Sequence, residues 1–204
     1  MKIYEYQAFP NPRRVRMFLA EKGIDGITFE QVNVPEGEHR TDAFKAKNPS
    51  ATVPLLELDD GAYIGETTAI SRYFETVHPE PALMGRTPKE QAAVEMWQRR
   101  VEDGLMNAVG AYFHHATPGL GALESYQNKE WGEKNRERAI ATMHWLDQEL
   151  ADRQFIAGER FSIADITALC GIDYAKFCEI GIPPAYTNLQ RWYDQVSSRP
   201  SAGA

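Results

Sequence analysis

Apolar residues fall on alternate positions in the opening run MKIYEYQ and again in ITFEQVNV, the period of a strand with one buried face. Between them, residues 12–22 have helical spacing. Asn11 stands where an N-cap is expected and Pro12 at the first helical position, where a missing N–H costs nothing. This order predicts a βαβ unit. A polar helical segment over 41–47 follows. VPLLELDDGAYIGE then reads as two strands joined by a tight turn at Asp59-Asp60-Gly61, and a helix over 67–76 closes the pattern. After Pro79 and Pro81 the alternation stops. TPKEQ opens one helix, NKEWGEKNRERAIATMHWLDQELAD is a long amphipathic one, and FSIADITALCGIDYAKF is a more apolar one in which Ser162 and Asp165 form a capping-box pattern. The expectation is an α/β, thioredoxin-like domain over 1–79 followed by an all-α domain over 87–204.

Composition excludes several classes. The chain has 204 residues, 43% hydrophobic and 11% aromatic, enough for a proper core. A net charge of −7 argues against nucleic acid as the main partner, because phosphate surfaces need concentrated Lys and Arg. No stretch approaches the ~20 apolar residues of a membrane span and no basic-apolar leader opens the chain, so a cytoplasmic address is expected. Cys170 and Cys178 have neither metal-knuckle nor CxxC spacing and stand among apolar neighbours, as buried thiols do.

Three segments carry candidate chemistry. Val53-Pro54 joins an extended run to a hairpin, a favoured place for a cis peptide; the alternative is a proline that merely starts a strand. Glu66-Thr67 lies between that hairpin and the closing helix. A Thr at a helix start offers a hydroxyl and a free N–H to a carboxylate, and Glu66 can meet an ammonium, so the pair suits an amino acid; the alternative is a simple cap beside a solvated charge. The third segment is FPNPRRVR. Arg13, Arg14 and Arg16 place positive charge on the first helical turn, the end where the backbone dipole favours anions by ~0.3–1 kcal/mol per charge.

The segments NPRRVRMFLAEKGI, NPSATVPLLELDDG, GETTAISRYFE and FSIADITALC, in this order and spacing, resemble a cytosolic glutathione transferase along essentially the whole chain. AYFHHATPGLGALESYQNKEWGEKNRERAIATMHWLD is similar to an atypical yeast-type, theta-like subgroup that lacks the usual catalytic Tyr, Ser or Cys. The resemblance implies glutathione as co-substrate, Val53 beside cis-Pro54 on its cysteinyl part, Glu66 and Thr67 on its γ-glutamyl end, and His39 on its glycine carboxylate. It also implies a small electrophile in an apolar pocket between the domains, lined by Phe9, Tyr112, Phe113, His114 and His115. A homodimer is implied too, with Arg72, Tyr73 and Phe74 facing the partner.

Residues 9–12 are Phe-Pro-Asn-Pro, so the usual sulfur-holding hydroxyl or thiol is missing. Tyr6 reads as a strand residue of the core. The anion expected at the helix start is then the thiolate itself, held by first-turn N–H groups and by the Asn11 amide, unless the Asn11 oxygen caps the helix instead. The subgroup implies a further donor, a water held by a Ser and a His. The His matches His114, while the Ser position is Gly110. Family members that serve as non-catalytic scaffolds in translation or stress responses are the alternative to an enzyme.

Overall fold

The structure is a computed structural model describing residues 1–204. The chain divides into two compact units, Met1–Pro81 with Gly203–Ala204, and Ala82–Ala202.

The first unit runs β1 (Lys2–Glu5), α1 (Pro10–Glu21), β2 (Thr28–Gln31), α2 (Asp42–Lys45), β3 (Leu55–Glu57), β4 (Tyr63–Gly65) and α3 (Thr67–Val77). Its sheet has the order β2-β1-β3-β4, with β1 and β2 parallel and the two remaining pairs antiparallel. Alternation sorts the strands' side chains. Tyr4 and Leu55 form a cluster with Val32 and Phe44, and Ile3 and Leu56, paired in register, point to the opposite face. The sequence pattern of β2 overstates its burial. It is an edge strand of four mostly exposed residues, and the apolar Val32 and Val34 are buried just beyond it.

Helices α1 and α3 pack together, and a buried lysine fastens their ends. Lys22 Nζ, fully enclosed, donates to the carbonyls of His78 and Pro81 at 2.7 Å each and pairs with Glu75 at 2.6 Å. All three ammonium hydrogens are thereby used, which is what makes burial of this charge tolerable. Phe74 is also fully buried in α3, its ring edge against Tyr73. It therefore belongs to this unit's own core and is not available to a partner, contrary to the expectation from sequence.

The second unit is all helical: α4 (Pro88–Val101), a π-helical turn (Glu102–Met106), α5 (Asn107–Ala116), α6 (Lys129–Glu149), α7 (Ile163–Phe177) and α8 (Thr187–Ser197). Helices α5 and α6 cross closely because Gly132 lacks a side chain; a Cβ there would lie 2.6 Å from that of Ala116. The Ser162–Asp165 capping box is present at the start of α7. Asp165 is completely buried and accepts hydrogen bonds from the N–H groups of Ile156 and Ser162, the Ser162 hydroxyl and the Trp192 indole. Burial pushes its carboxyl up to about 6 against the pull of those four donors. Its role is structural. Cys170 and Cys178 are buried free thiols, and burial pushes that of Cys178 up to about 11. No helix is long and apolar enough to cross a membrane.

Candidate active site

The strand register brings four sequence-distant segments to one end of the sheet. Glu5 pairs with Gln31 at the C-terminal ends of β1 and β2, Tyr4 lies opposite Leu55 at the start of β3, and Leu55 lies opposite Gly65 at the end of β4. The loop into α1, the segment carrying His39, Val53-Pro54 and Glu66-Thr67 all leave the sheet from this end.

Val53-Pro54 is a cis peptide. Asn48 braces the approach to it, donating through Nδ2 to the Thr52 carbonyl at 2.9 Å and accepting the Ser50 N–H at 3.2 Å. The N–H and carbonyl of Val53 are engaged by nothing within the chain. Twelve residues on, Glu66 has φ 64° and ψ 125°, a conformation that costs a non-glycine residue about 1–3 kcal/mol and that concentrates at functional sites. Its side chain is exposed and unpartnered. Thr67 is the first residue of α3. It is 7% exposed, and neither its hydroxyl nor its N–H meets a group of the chain, although its carbonyl accepts from the Ser71 hydroxyl at 2.8 Å.

His39 lies in a short 3-10 turn, Glu38–Arg40, and is buried. Its Nδ1 is enclosed without a partner. Desolvation, with a smaller contribution from Arg40, holds its pKa below the usual histidine value. It is therefore not a plain surface residue.

The start of α1 differs from expectation. The helix begins at Pro10, with Phe9 in the N-cap position, so Asn11 is its second residue and caps nothing. Pro10 takes the first helical place because its fixed φ suits it. Prolines at 10 and 12 carry no N–H, and the Arg13 N–H is taken by the Phe9 carbonyl at 3.3 Å, which leaves Asn11 as the one first-turn N–H without a partner in the chain. The Asn11 side chain is oriented by Arg14, which is buried and donates from Nη1 to Oδ1 at 3.1 Å. A guanidinium only donates, so the amide oxygen must face it and Nδ2 is turned away as a second donor. The competition foreseen for the Asn11 oxygen is thus decided by Arg14.

Arg16 finds its anion within the protein. Arg16 forms a two-pronged pair with the fully buried Glu5, whose carboxylate also accepts from Gln31 at 2.7 Å. Tyr6 falls just outside β1, half-buried, with its ring 4.8 Å from that of Phe9. Tyr4 is committed elsewhere, donating to Glu57 at 2.5 Å and accepting from Lys47 at 2.7 Å.

In the helical unit, Tyr112, Phe113, His114 and His115 are half-buried on the last turns of α5. Phe113 packs against Tyr174 and Phe177 of α7. A Cβ added at Gly110 would meet only Tyr174, at 3.8 Å, so that position has room for a side chain. His114 Nδ1 lies 2.6 Å from Glu124 Oε1, while His115 Nδ1 accepts the Asn128 N–H at 3.2 Å. His115 therefore serves the following loop. Sequence reasoning missed Glu124. It lies ten residues beyond His114, outside any helical period; its nearest signal is the glycine pair of TPGLGALE, which marks a turn without saying where the turn leads.

A four-stranded sheet with a cis-proline and a helix start at one end, followed by an all-helical unit, defines a class of protein, and comparison with known proteins agrees. Residues 10–77 match the family model for the glutathione S-transferase N-terminal domain, and residues 103–200 that for its C-terminal domain. The chain belongs to the glutathione S-transferase family. It is similar to Glutathione S-transferase 2 of Saccharomyces cerevisiae, 45% identical over 98% of this chain and 87% of the relative. Among solved structures it superposes on Gtt2 of S. cerevisiae with a TM-score of 0.97 at 44% identity, covering 100% of this chain and 99% of that one. It also superposes on a glutathione S-transferase domain-containing protein of Marinobacter aquaeolei, with a TM-score of 0.97 at 52% identity over 98% and 99%.

Proposed function

We propose that the chain is a glutathione transferase that ionises bound glutathione without a tyrosine, serine or cysteine on the sulfur. The observation that carries this reading is the convergence, at one sheet end, of polar groups with no partner of their own: the Val53 backbone, the Thr67 hydroxyl and N–H, the Asn11 N–H, and the Asn11 Nδ2 that Arg14 leaves free by holding Oδ1. Val53 pairs with the cysteinyl backbone, Thr67 takes the γ-glutamyl carboxylate, Glu66 meets the ammonium, and His39 serves the glycine carboxylate. Lowering a thiol pKa by about two units requires ~2.7 kcal/mol of preference for the thiolate. The end of α1 contributes up to ~2 kcal/mol, and one hydrogen bond to a charged group adds about 1.5–3 kcal/mol, so the two donors of Asn11 suffice even with both prolines silent.

The thiolate then attacks an electrophilic carbon, forming a C–S bond as the leaving group departs with its electron pair. Tyr112 and Phe113 of α5 supply apolar surface for that substrate. Peroxide or disulfide reduction by the same thiolate differs in substrate rather than in site. The protein acts as a cytoplasmic homodimer, with Arg72 and Tyr73 of α3 facing the partner. The test is retention on immobilised glutathione, followed by an assay with an activated aryl halide across pH while the thiolate is followed by ultraviolet absorbance. Failure to bind glutathione, or binding with no thiolate below pH 8, refutes the reading.

A further inference from the structure

Arg14 stands three residues after Asn11 on α1, so the two side chains share a face of the helix. Arg14 is buried, 5% exposed, whereas Asn11 is exposed. The guanidinium therefore lies on the protein side of the amide, and its Nη1 holds Oδ1 at 3.1 Å. A primary amide has two ends of nearly equal shape and opposite polarity, and half a turn exchanges them. Turned outward, the oxygen would repel an anion; Nδ2 in its place would hold one. The bond to Arg14 is the only hydrogen bond of the Asn11 side chain within the protein, so it alone makes the choice. Arg16, on the next turn, is held by Glu5. Gln31 donates to that same carboxylate at 2.7 Å and accepts the Gln7 N–H at 2.9 Å, which ties down the loop ahead of the helix.

We propose that Arg14 is a positioning residue for the ionisation of glutathione: it fixes the Asn11 amide with Nδ2 outward and makes that N–H a stronger donor to the sulfur. A charged donor on Oδ1 draws electron density out of the amide, and hydrogen bonds joined in this way strengthen one another. The proposal rests on the reading that the thiolate lies at the start of α1. In the step concerned the S–H bond breaks, its electron pair stays on sulfur, and the proton leaves to water. Arg14 exchanges no proton, because a guanidinium keeps its charge throughout the working pH range. Both residues belong to one helix of the sheet unit, so the effect is local to the sulfur's own side of the reaction.

The full-length protein is titrated with glutathione bound, the thiolate being followed by ultraviolet absorbance across pH. Wild type is compared with Arg14→Met, Arg14→Lys, Asn11→Ala and the double variant of Arg14→Met with Asn11→Ala. Arg14→Met is expected to move thiolate formation up by about one pH unit, so that kcat/KM below the midpoint falls about tenfold. Glutathione affinity at about pH 5, where the bound thiol keeps its proton, should not change. Arg14→Lys retains a charged donor and should recover part of the shift. In the Asn11→Ala background the loss of Arg14 should add almost nothing, since a residue that acts through Asn11 then has nothing to position. Should Arg14→Met fold poorly, Asn11→Asp asks the same question. Its carboxylate keeps the bond to Arg14 but turns an oxygen to the sulfur, and thiolate formation is expected to move up at least as far. A folded Arg14→Met or Asn11→Asp that titrates like wild type, or an Arg14→Met shift just as large without Asn11, overturns the proposal. Loss of the thiolate in Tyr6→Phe overturns the underlying reading instead, because the Tyr6 hydroxyl would then be the sulfur's partner.

Discussion

Thr67 offers the cleanest separation of binding from folding. Its hydroxyl meets no group of the chain, whereas its carbonyl is tied to Ser71 at 2.8 Å, so Thr67→Val removes one oxygen and leaves the bonded part of the residue in place. The valine keeps the β-branch and the volume in a position only 7% exposed, so no cavity opens. No hydrogen bond is broken in the free protein, and stability should stay within about 0.5 kcal/mol of wild type. In the complex the hydroxyl donates to a carboxylate, a bond worth about 1.5–3 kcal/mol. The loss corresponds to a dissociation constant raised roughly 10- to 150-fold. Calorimetric titration with glutathione measures that change, and a thermal melt without ligand measures the fold. An unchanged dissociation constant in a variant that melts like wild type would refute the assignment of the γ-glutamyl carboxylate to this helix start. A lowered melting temperature of the free protein would refute the claim that the hydroxyl is idle without ligand.

Glu66→Gly should stabilise the free protein by up to ~2 kcal/mol, because glycine adopts φ 64° without the strain, yet weaken glutathione binding; a variant that melts lower than wild type would count against stored strain. His39 is held below its ordinary value of 6.5, and a carboxylate docking on it raises that value, so the complex binds more protons than the free protein in the window beneath about pH 6.5. Glutathione binding should there be accompanied by proton uptake, detected by calorimetry in buffers of different ionisation enthalpy and abolished in His39→Gln; equal uptake in that variant would sink the assignment. In the free protein the unfolded chain is the better proton acceptor, so the stability that neutral His39 contributes is complete above about pH 6.5 and is lost as pH falls toward its folded value. Lys22→Met should cost about 3–5 kcal/mol in urea unfolding, since the buried Glu75 carboxylate loses its ammonium and two carbonyls lose a donor; a cost under 1 kcal/mol would show that the clamp is dispensable.

Much of this was legible in the chain itself, and the legible features share a local cause. The βαβ opening, the Asp-Asp-Gly hairpin, the cis bond at Val53-Pro54 and the Ser162–Asp165 box each depend on a few neighbouring residues whose dihedral preferences and short-range hydrogen bonds act alike in any surroundings. So does the start of α3 at Thr67. What tertiary structure decided lies where two local solutions were equally good or where partners are far apart. Both Pro10 and Pro12 are suitable first helical residues, and only the packed loop after β1 selects Pro10, moving Asn11 inside the helix. The charge of Arg16 looked available to a ligand until folding brought Glu5 to it. Phe74 has the same helical spacing as an interface residue and the same spacing as a core residue, and only the folded chain shows it fully buried. Glu124 reaches His114 through a ten-residue fold-back with no periodicity to read. A hydrogen bond across such a loop is a property of where the backbone returns, and that is set by the sum of many contacts rather than by the residues that meet.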